Sequence, residues 1–338
     1  MVAAVVLAIG SIATRGQQTP ASIAVSEQLR RSTLESVDQL AAALPAAGAT
    51  PAVTGQLASI SAVLDTQRAA LAGGSETHSA APAPGATVTP AVPPVPATVP
   101  DMVSKLTASA AAATDGALAA DGVMARLLAA TGAGQLTQAR ALAAAAGLPV
   151  PGPQVPPAPT PPAAAATAAA SASAGSGPAA GAAAAVTPSC SARPAPEGLN
   201  TGSALSAVAA AEQKAVYAYQ VSATRMTNPR SSQAVALLVE HQDALAAAQD
   251  ELRSSCLPVP KIQPGYQLDP GFTATPAAAL AGLETQLTAV YGDLVAFTAP
   301  GDGGAALRRG AVTAMDNSAL RAAFWGAGPS ALPGIGVG

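Results

Sequence analysis

The stretch Ala209–Gln220, AAAEQKAVYAYQ, decides how this chain is read. It continues a helical pattern over 204–226, in which Leu205, Val208, Glu212, Ala215, Tyr219 and Met226 fall on one stripe. Glu212 is therefore a lone carboxylate on an apolar face. Either it is a metal ligand projecting into a helical bundle, or it is held there by hydrogen bonds. The first reading makes a metal protein and the second an inert scaffold.

The neighbouring segments repeat the plan. Asn228-Pro229 stops the first helix. Residues 231–254 then place Ala234, Leu238, His241, Leu245, Ala248 and Leu252 on one face. A third helix starts with Pro276 in its first turn and carries Leu280, Leu283, Leu287, Val290, Leu294 and Phe297, with Glu284 and Tyr291 beside that stripe. The fourth, 304–324, has a weaker stripe and ends at FWGAGP, a glycine-proline stop. Residues 256–275 form a long connection that can cross the length of a bundle, because about 20 extended residues outreach a helix of ~34 Å.

Upstream, helices are expected over 21–44, 51–73, 101–118 and 121–146. Val53, Leu57, Ile60, Leu64, Gln67 and Leu71 share a stripe on the second, and Met102, Leu106, Ser109 and Ala113 on the third. The fourth carries Met124, Leu128, Thr131, Gln135, Gln138, Leu142 and Ala145. Helices with such narrow apolar faces are not stable singly, so they are expected to pack as a bundle. Proline- and alanine-rich stretches at 77–100 and 148–200 read as extended or disordered tethers. Nothing in the chain reads as a strand.

The chain of 338 residues has room for two domains. Charged residues make up 10% of it, against about 25% in a typical soluble domain, and the net charge is −3. No clustered basic face exists to bind phosphates, which excludes a nucleic-acid partner. The opening run MVAAVVLAIGSIA is too short for a bilayer span of about 20 residues. It resembles the apolar part of an export signal without the usual basic residues before it, as it would if the natural start lay upstream; the other reading is the start of a buried helix. No lipobox cysteine follows, so no lipid anchor is claimed.

The segments AAAEQKAVYAYQV, LVEHQDALAAAQDELR, LAGLETQLTAVYGDLVAFT and LRRGAVTAMDNSALRAAFW together resemble the ferritin-like domain of unknown function found in exported actinobacterial proteins. The resemblance covers 203–326, and 21–146 resembles the N-terminal helical region of the same proteins more loosely. It implies an all-α fold of ferritin-like antiparallel four-helix bundles, two in tandem, and no assigned activity. The expected organisation is an apolar export signal or anchor remnant at 1–16, a helical bundle at 21–146, a linker at 147–202, the ferritin-like domain at 203–326 and a flexible tail at 327–338.

Di-metal sites of that fold take a glutamate from each of two helices and Glu-x-x-His from each of the other two. Here the inward candidates are Glu212, His241 and Glu284, with Tyr219 and Tyr291 nearby; Glu240 and His241 are adjacent, so the Glu-x-x-His spacing is missing. Glu212 and His241 lie on consecutive helices with an axial offset of roughly one turn, within reach of long side chains. A hydrogen-bonded Glu-His or Glu-Tyr group would satisfy the carboxylate, whereas burial unpaired would cost several kcal/mol. In the first bundle Gln67, Ser109, Gln135 and Gln138 stand where carboxylates and imidazoles would be needed. Amides are poor ligands for iron or zinc, so these side chains are expected to bond one another or to face water at the stripe's edge.

Other chemistry finds little support. The glycines of GLNTGSALS and GDGGAA follow no strand and end in no Gly-Lys-Ser/Thr. His78 lies in a tether, no Gly-x-Ser-x-Gly elbow appears, and the short pairs Arg30-Arg31 and Arg308-Arg309 read as solvated. Cys190 and Cys256 have no Cys-x-x-Cys spacing. They flank an antiparallel helix pair, so in an exported protein they are expected to form a disulfide; the other reading is two unpaired thiols. The sequence thus reads as a non-enzymatic, exported cell-envelope protein with a binding or structural role and no cofactor. The alternative is an iron or manganese redox or storage protein using Glu212, His241 and Glu284. Membrane contact through the apolar start and a protein partner in the envelope are left open.

Overall fold

Short polar residues ahead of apolar runs set the helix starts. Thr50 and Thr98 accept from Val53 N (3.3 Å) and Asp101 N (3.3 Å), each followed by a proline in the first turn. Asn200 and Ser203 form a reciprocal capping box at the helix holding Glu212. The computed structural model describes residues 20–45, 50–73, 97–152, 198–268, 270–301 and 303–336, with side chains from residue 25 onward. All regular structure among them is helical: α1 Pro20–Ala42, α2 Pro51–Ala72, α3 Val99–Ala119, α4 Gly122–Ala145, α5 Thr201–Ala223, α6 Arg230–Ser254, α7 Gly271–Ala274, α8 Pro276–Phe297 and α9 Ala305–Trp325. The eight long helices lie within a few residues of the expected bounds. The short α7 has no counterpart in the sequence pattern; it seats Phe272 in the core as the long connection returns.

The two halves share one connectivity. Glu212 meets Tyr291 while Tyr219 meets Glu284, so α5 and α8 run antiparallel. Because α6 folds back on α5, α6 and α8 are parallel, and the connection between them must return the full length of the bundle. It lies along α5, where Gln213 donates to Pro260 O (3.0 Å) and accepts from the Tyr266 hydroxyl (2.8 Å). In the first half Ser36 meets Ser109 (2.8 Å) and Ser26 accepts from Asp121 N (3.0 Å), which makes α1 and α3 antiparallel. Asp38 pairs with Arg68 (2.6 Å) while Arg30, earlier on α1, reaches Leu71 O, later on α2, so α2 runs antiparallel to α1. Each half is therefore two helical hairpins joined by a long connection. The apolar stripes meet inside each half, with Ile60, Leu64, Leu106 and Leu128 in one and Leu237, Leu252 and Leu280 in the other wholly buried, each leucine contributing about 2 kcal/mol.

Expected as bundles on separate tethers, the halves share a face: α4 packs on α8 and α9, and α3 on α9. Small residues allow the close approach. A Cβ on Gly292 of α8 would stand 3.0 Å from Arg126 Nε of α4. Two sequence readings are corrected here. Arg308 is not solvated but 0% exposed, its guanidinium spanning the halves to the carbonyls of Ala120 and Thr298; Arg30 is likewise buried, against Leu71 O. Carbonyls at helix ends lack partners within the helix, and a buried guanidinium supplies donors for them. Nor is the segment after α9 a flexible tail over 327–336. Leu332 is buried and Ala331 O accepts from Gln67 of the first bundle (2.8 Å).

Candidate functional site: a buried charge cluster

The polar residues on the apolar stripes of the second half converge. Glu212 (α5) and Glu284 (α8) are 0% exposed and His241 (α6) is 1% exposed. The imidazole lies between the carboxylates, with Nδ1 2.7 Å from Glu212 Oε2 and Nε2 2.9 Å from Glu284 Oε1. Carboxylates only accept, so both ring nitrogens donate, and His241 is an imidazolium.

Two tyrosines complete a reciprocal arrangement. Glu212 and Tyr219 are seven residues apart on α5, Glu284 and Tyr291 seven apart on α8. Two helical turns place each pair on one face, and the antiparallel packing brings each tyrosine to the other helix's glutamate. The Tyr219 hydroxyl donates to Glu284 Oε1 (2.5 Å) and the Tyr291 hydroxyl to Glu212 Oε1 (2.5 Å). Burial, then the neighbouring carboxylate, pushes both phenols well above their usual range.

The fourth helix contributes what the sequence reading missed. Arg321 of α9 donates through Nε to Glu284 Oε1 (3.0 Å), through Nη2 to Ser318 (3.0 Å) and through Nη1 to Glu240 at the rim (3.3 Å). Trp325, one turn on, donates its indole N–H to the Tyr219 hydroxyl (2.8 Å). Tyr219 also stacks obliquely on the His241 ring, centroids 4.6 Å apart, its π-face toward a cation. The two buried carboxylates are thus matched by two buried cations.

The electrostatics follow from this pairing. Burial alone lowers the basicity of His241, but its bonds to Glu212 and Glu284 more than reverse that and raise its pKa to about 9. Burial alone would raise Glu284; the Arg321 charge and the His241 bond hold it at about 2. For Arg321 the opposing carboxylate outweighs burial, and its protonated form is strengthened.

The set does not fit a metal. An ion bound by Glu212 and His241 would sit at one ring nitrogen, while Glu284 is at the opposite one, so no single point is shared by the three. Where the ferritin-like pattern needs a carboxylate or imidazole from the fourth helix, α9 supplies a guanidinium, a fixed positive charge beside Glu284. Among the described residues no group of three or more His, Cys, Asp or Glu is arranged to hold a metal ion. A cleft of about 300 Å³ opens at the end of the bundle, between Thr201, Glu251 and Leu307. It lies about 15 Å along α6 from His241 and does not reach the cluster.

The first half shows the uncharged counterpart. Gln67, Gln135 and Gln138 are buried; Gln135 Nε2 donates to Gln67 Oε1 (3.1 Å), and Gln138 Oε1 accepts from Gln56 (2.5 Å). These amides bond internally and do not lie in water. Cys256 follows α6 at a φ of 56°, and no cysteine among the described residues is a free thiol. Cys190, His78 and the apolar start at 1–16 lie outside the described residues. Among those described, no helix is long and apolar enough to cross a membrane.

Residues 204–337 match the family model described as a domain of unknown function, DUF4439. The match takes in α5, α6, α8 and α9, all the residues of the cluster and the segment that follows α9. No curated protein and no solved structure matches the chain.

Proposed function

We propose that this is a non-enzymatic, exported helical-bundle protein of the cell envelope with a binding or structural role, and that its second half is a ferritin-like bundle in which an internal ion cluster stands where a metal centre would be. The observation that carries this reading is the position of His241 between Glu212 and Glu284, with Arg321 as the second cation. Glu212, His241 and Glu284 are each engaged with other side chains, Glu284 through Oε1 while its buried Oε2 has no hydrogen-bond partner, and the charges balance without an added ion. The single long return between α6 and α8 supports the ferritin-like assignment, since that connectivity separates such bundles from simple up-and-down ones. Enzymatic use of the cluster is disfavoured by its burial, which leaves no carboxylate or imidazole atom open to a substrate.

The apolar start supports export, and an oxidising compartment would join Cys190 to Cys256, closing a long loop and stabilising by about 4 kcal/mol in the chain-entropy model. Two free thiols found by titration of denatured, natively exported protein would end that part. A protein partner in the envelope and membrane contact through residues 1–16 belong to the same proposal. Metal analysis tests the whole: protein purified without chelator should carry no stoichiometric iron or manganese. A stoichiometric metal that disappears in Glu212→Ala would replace this reading with a metal redox or storage role for Glu212, His241 and Glu284.

A further inference from the structure

The segment after α9 leaves the helix through Gly326, whose left-handed φ of 106° ends α9 while Ala327 N donates back to Ala322 O (2.8 Å). It then crosses from the second half into the first. Leu332, Pro333, Gly334 and Ile335 form a turn closed by Ile335 N to Leu332 O (3.0 Å), with Gly334 at a φ of 77°. Proline followed by a positive-φ glycine is the pattern of a type II turn.

The groove that receives this strap is built for it. Gln67 of α2 is 0% exposed and uses its whole amide: Nε2 donates to Thr131 O (3.2 Å) and Ala331 O (2.8 Å), while Oε1 accepts from Gln135. Arg126 of α4 pairs with Asp293 of α8 and donates through Nη2 to Gly334 O (2.6 Å). The groove thus presents two fixed donors to backbone carbonyls three residues apart. Sterics add a second demand. A Cβ on Gly134 of α4 would collide with Ala331 O, and one on Gly334 would stand 2.5 Å from Thr288 O of α8. Leu332 fills the apolar floor at 3% exposed, and a cavity of about 40 Å³ remains beside Pro333, Thr137 and Ala323.

We propose that this groove between α2, α4 and α8 is a peptide-binding site for a Leu-Pro-Gly turn, occupied by the chain's own residues 327–336 and open to the same segment supplied in trans when the strap is released. Peptide capture also accounts for a buried amide of the first half, because without a carbonyl in Ala331's place a Gln67 N–H loses its partner, which is costly. The site accepts a segment that folds into this turn, offering two carbonyls at this spacing and no side chain at the second. It rejects segments with a Cβ there.

The test uses the full chain. Gly334→Ala places a methyl in a left-handed position against Thr288 O and should expel the strap while far-UV circular dichroism keeps its helical signal. Hydrogen exchange should then accelerate at Ala331–Ile335. A fluorescent synthetic peptide of residues 328–336 should bind Gly334→Ala at least about tenfold more tightly than it binds wild type, where the tethered strap competes at high effective concentration. Gly134→Ala, which adds a good helix former but blocks the seat of Ala331 O, should accelerate the same exchange without binding the peptide. If Gly334→Ala fails to fold, Gly134→Ala carries the test alone through strap exchange. Unchanged exchange in the folded variants, absence of peptide binding to Gly334→Ala, or binding to Gly134→Ala as tight as to Gly334→Ala would overturn the proposal.

Discussion

Replacing Arg321 by methionine keeps the length and apolar stem of the side chain and removes its charge. In the native cluster Glu212 and Glu284 face His241 and Arg321, two negative charges against two positive; Arg321→Met leaves two against one around a carboxylate that is 0% exposed. Two routes give the magnitude. Breaking a buried ion pair by removing one partner costs about 3–5 kcal/mol. Independently, Arg321 is the largest of the influences holding Glu284 at about 2 against burial; a return of that carboxyl to the ordinary 4.5 corresponds to roughly 3 kcal/mol at 1.36 per pKa unit. The assay is urea unfolding at pH 7.5, followed by circular dichroism, for Arg321→Met, Glu284→Gln and the double variant. Arg321→Met should lose about 3 kcal/mol, and the double variant should lose at least about 2 kcal/mol less than the sum of the singles. A loss below about 1 kcal/mol for Arg321→Met, or additive losses, would refute the reasoning.

Other consequences follow from the same cluster and its surroundings. His241 has a folded pKa raised to about 9 from 6.5, so its contribution is fully present below pH 6.5 and is lost as pH rises through 9, about 3 kcal/mol in all; His241→Gln should abolish this alkaline loss in pH-dependent unfolding. Glu284 runs the other way: its contribution is present above 4.5 and lost as pH falls towards 2, so Glu284→Gln should flatten the acid limb. Trp325→Phe removes the indole donor to Tyr219 and should cost about 1–2 kcal/mol by urea unfolding. Burial raises Asp316 to about 7 and its Oδ1 has no hydrogen-bond partner, so the folded state resists its ionisation; Asp316→Asn should stabilise, by about 3 kcal/mol more at pH 8 than at pH 5.

The helices are legible in the sequence because alanine-rich segments with a 3.6-residue period have no competing strand pattern, and because Thr50-Pro51, Asn228-Pro229 and Gly326 punctuate them. Glu212, His241 and Glu284 are legible as ionisable groups on apolar stripes. Their partners are harder to see. Arg321 and Trp325 lie on α9, whose stripe is weak, and an arginine among alanines reads as solvent-facing until a carboxylate from another helix is placed beside it. One signal is available: the seven-residue spacing of glutamate and tyrosine occurs on both α5 and α8, and antiparallel packing turns that repetition into reciprocal bonds. Arg308 is hidden for a different reason, since its acceptors are backbone carbonyls at helix ends, which have no signature in sequence. The strap is hidden because glycine and proline describe a mobile tail and a fixed turn equally well; only Gln67 and Arg126, more than 200 residues away, distinguish them.

The protonation of His241 is the most direct measure of whether the carboxylates are neutralised from within the protein. Nitrogen-15 spectra of the full chain at pH 7.5 should show both ring nitrogens of His241 protonated, with resonances that neither shift nor broaden when one equivalent of manganese(II) is added. A neutral ring with one bare nitrogen, or selective broadening of His241 by that manganese, would contradict the account.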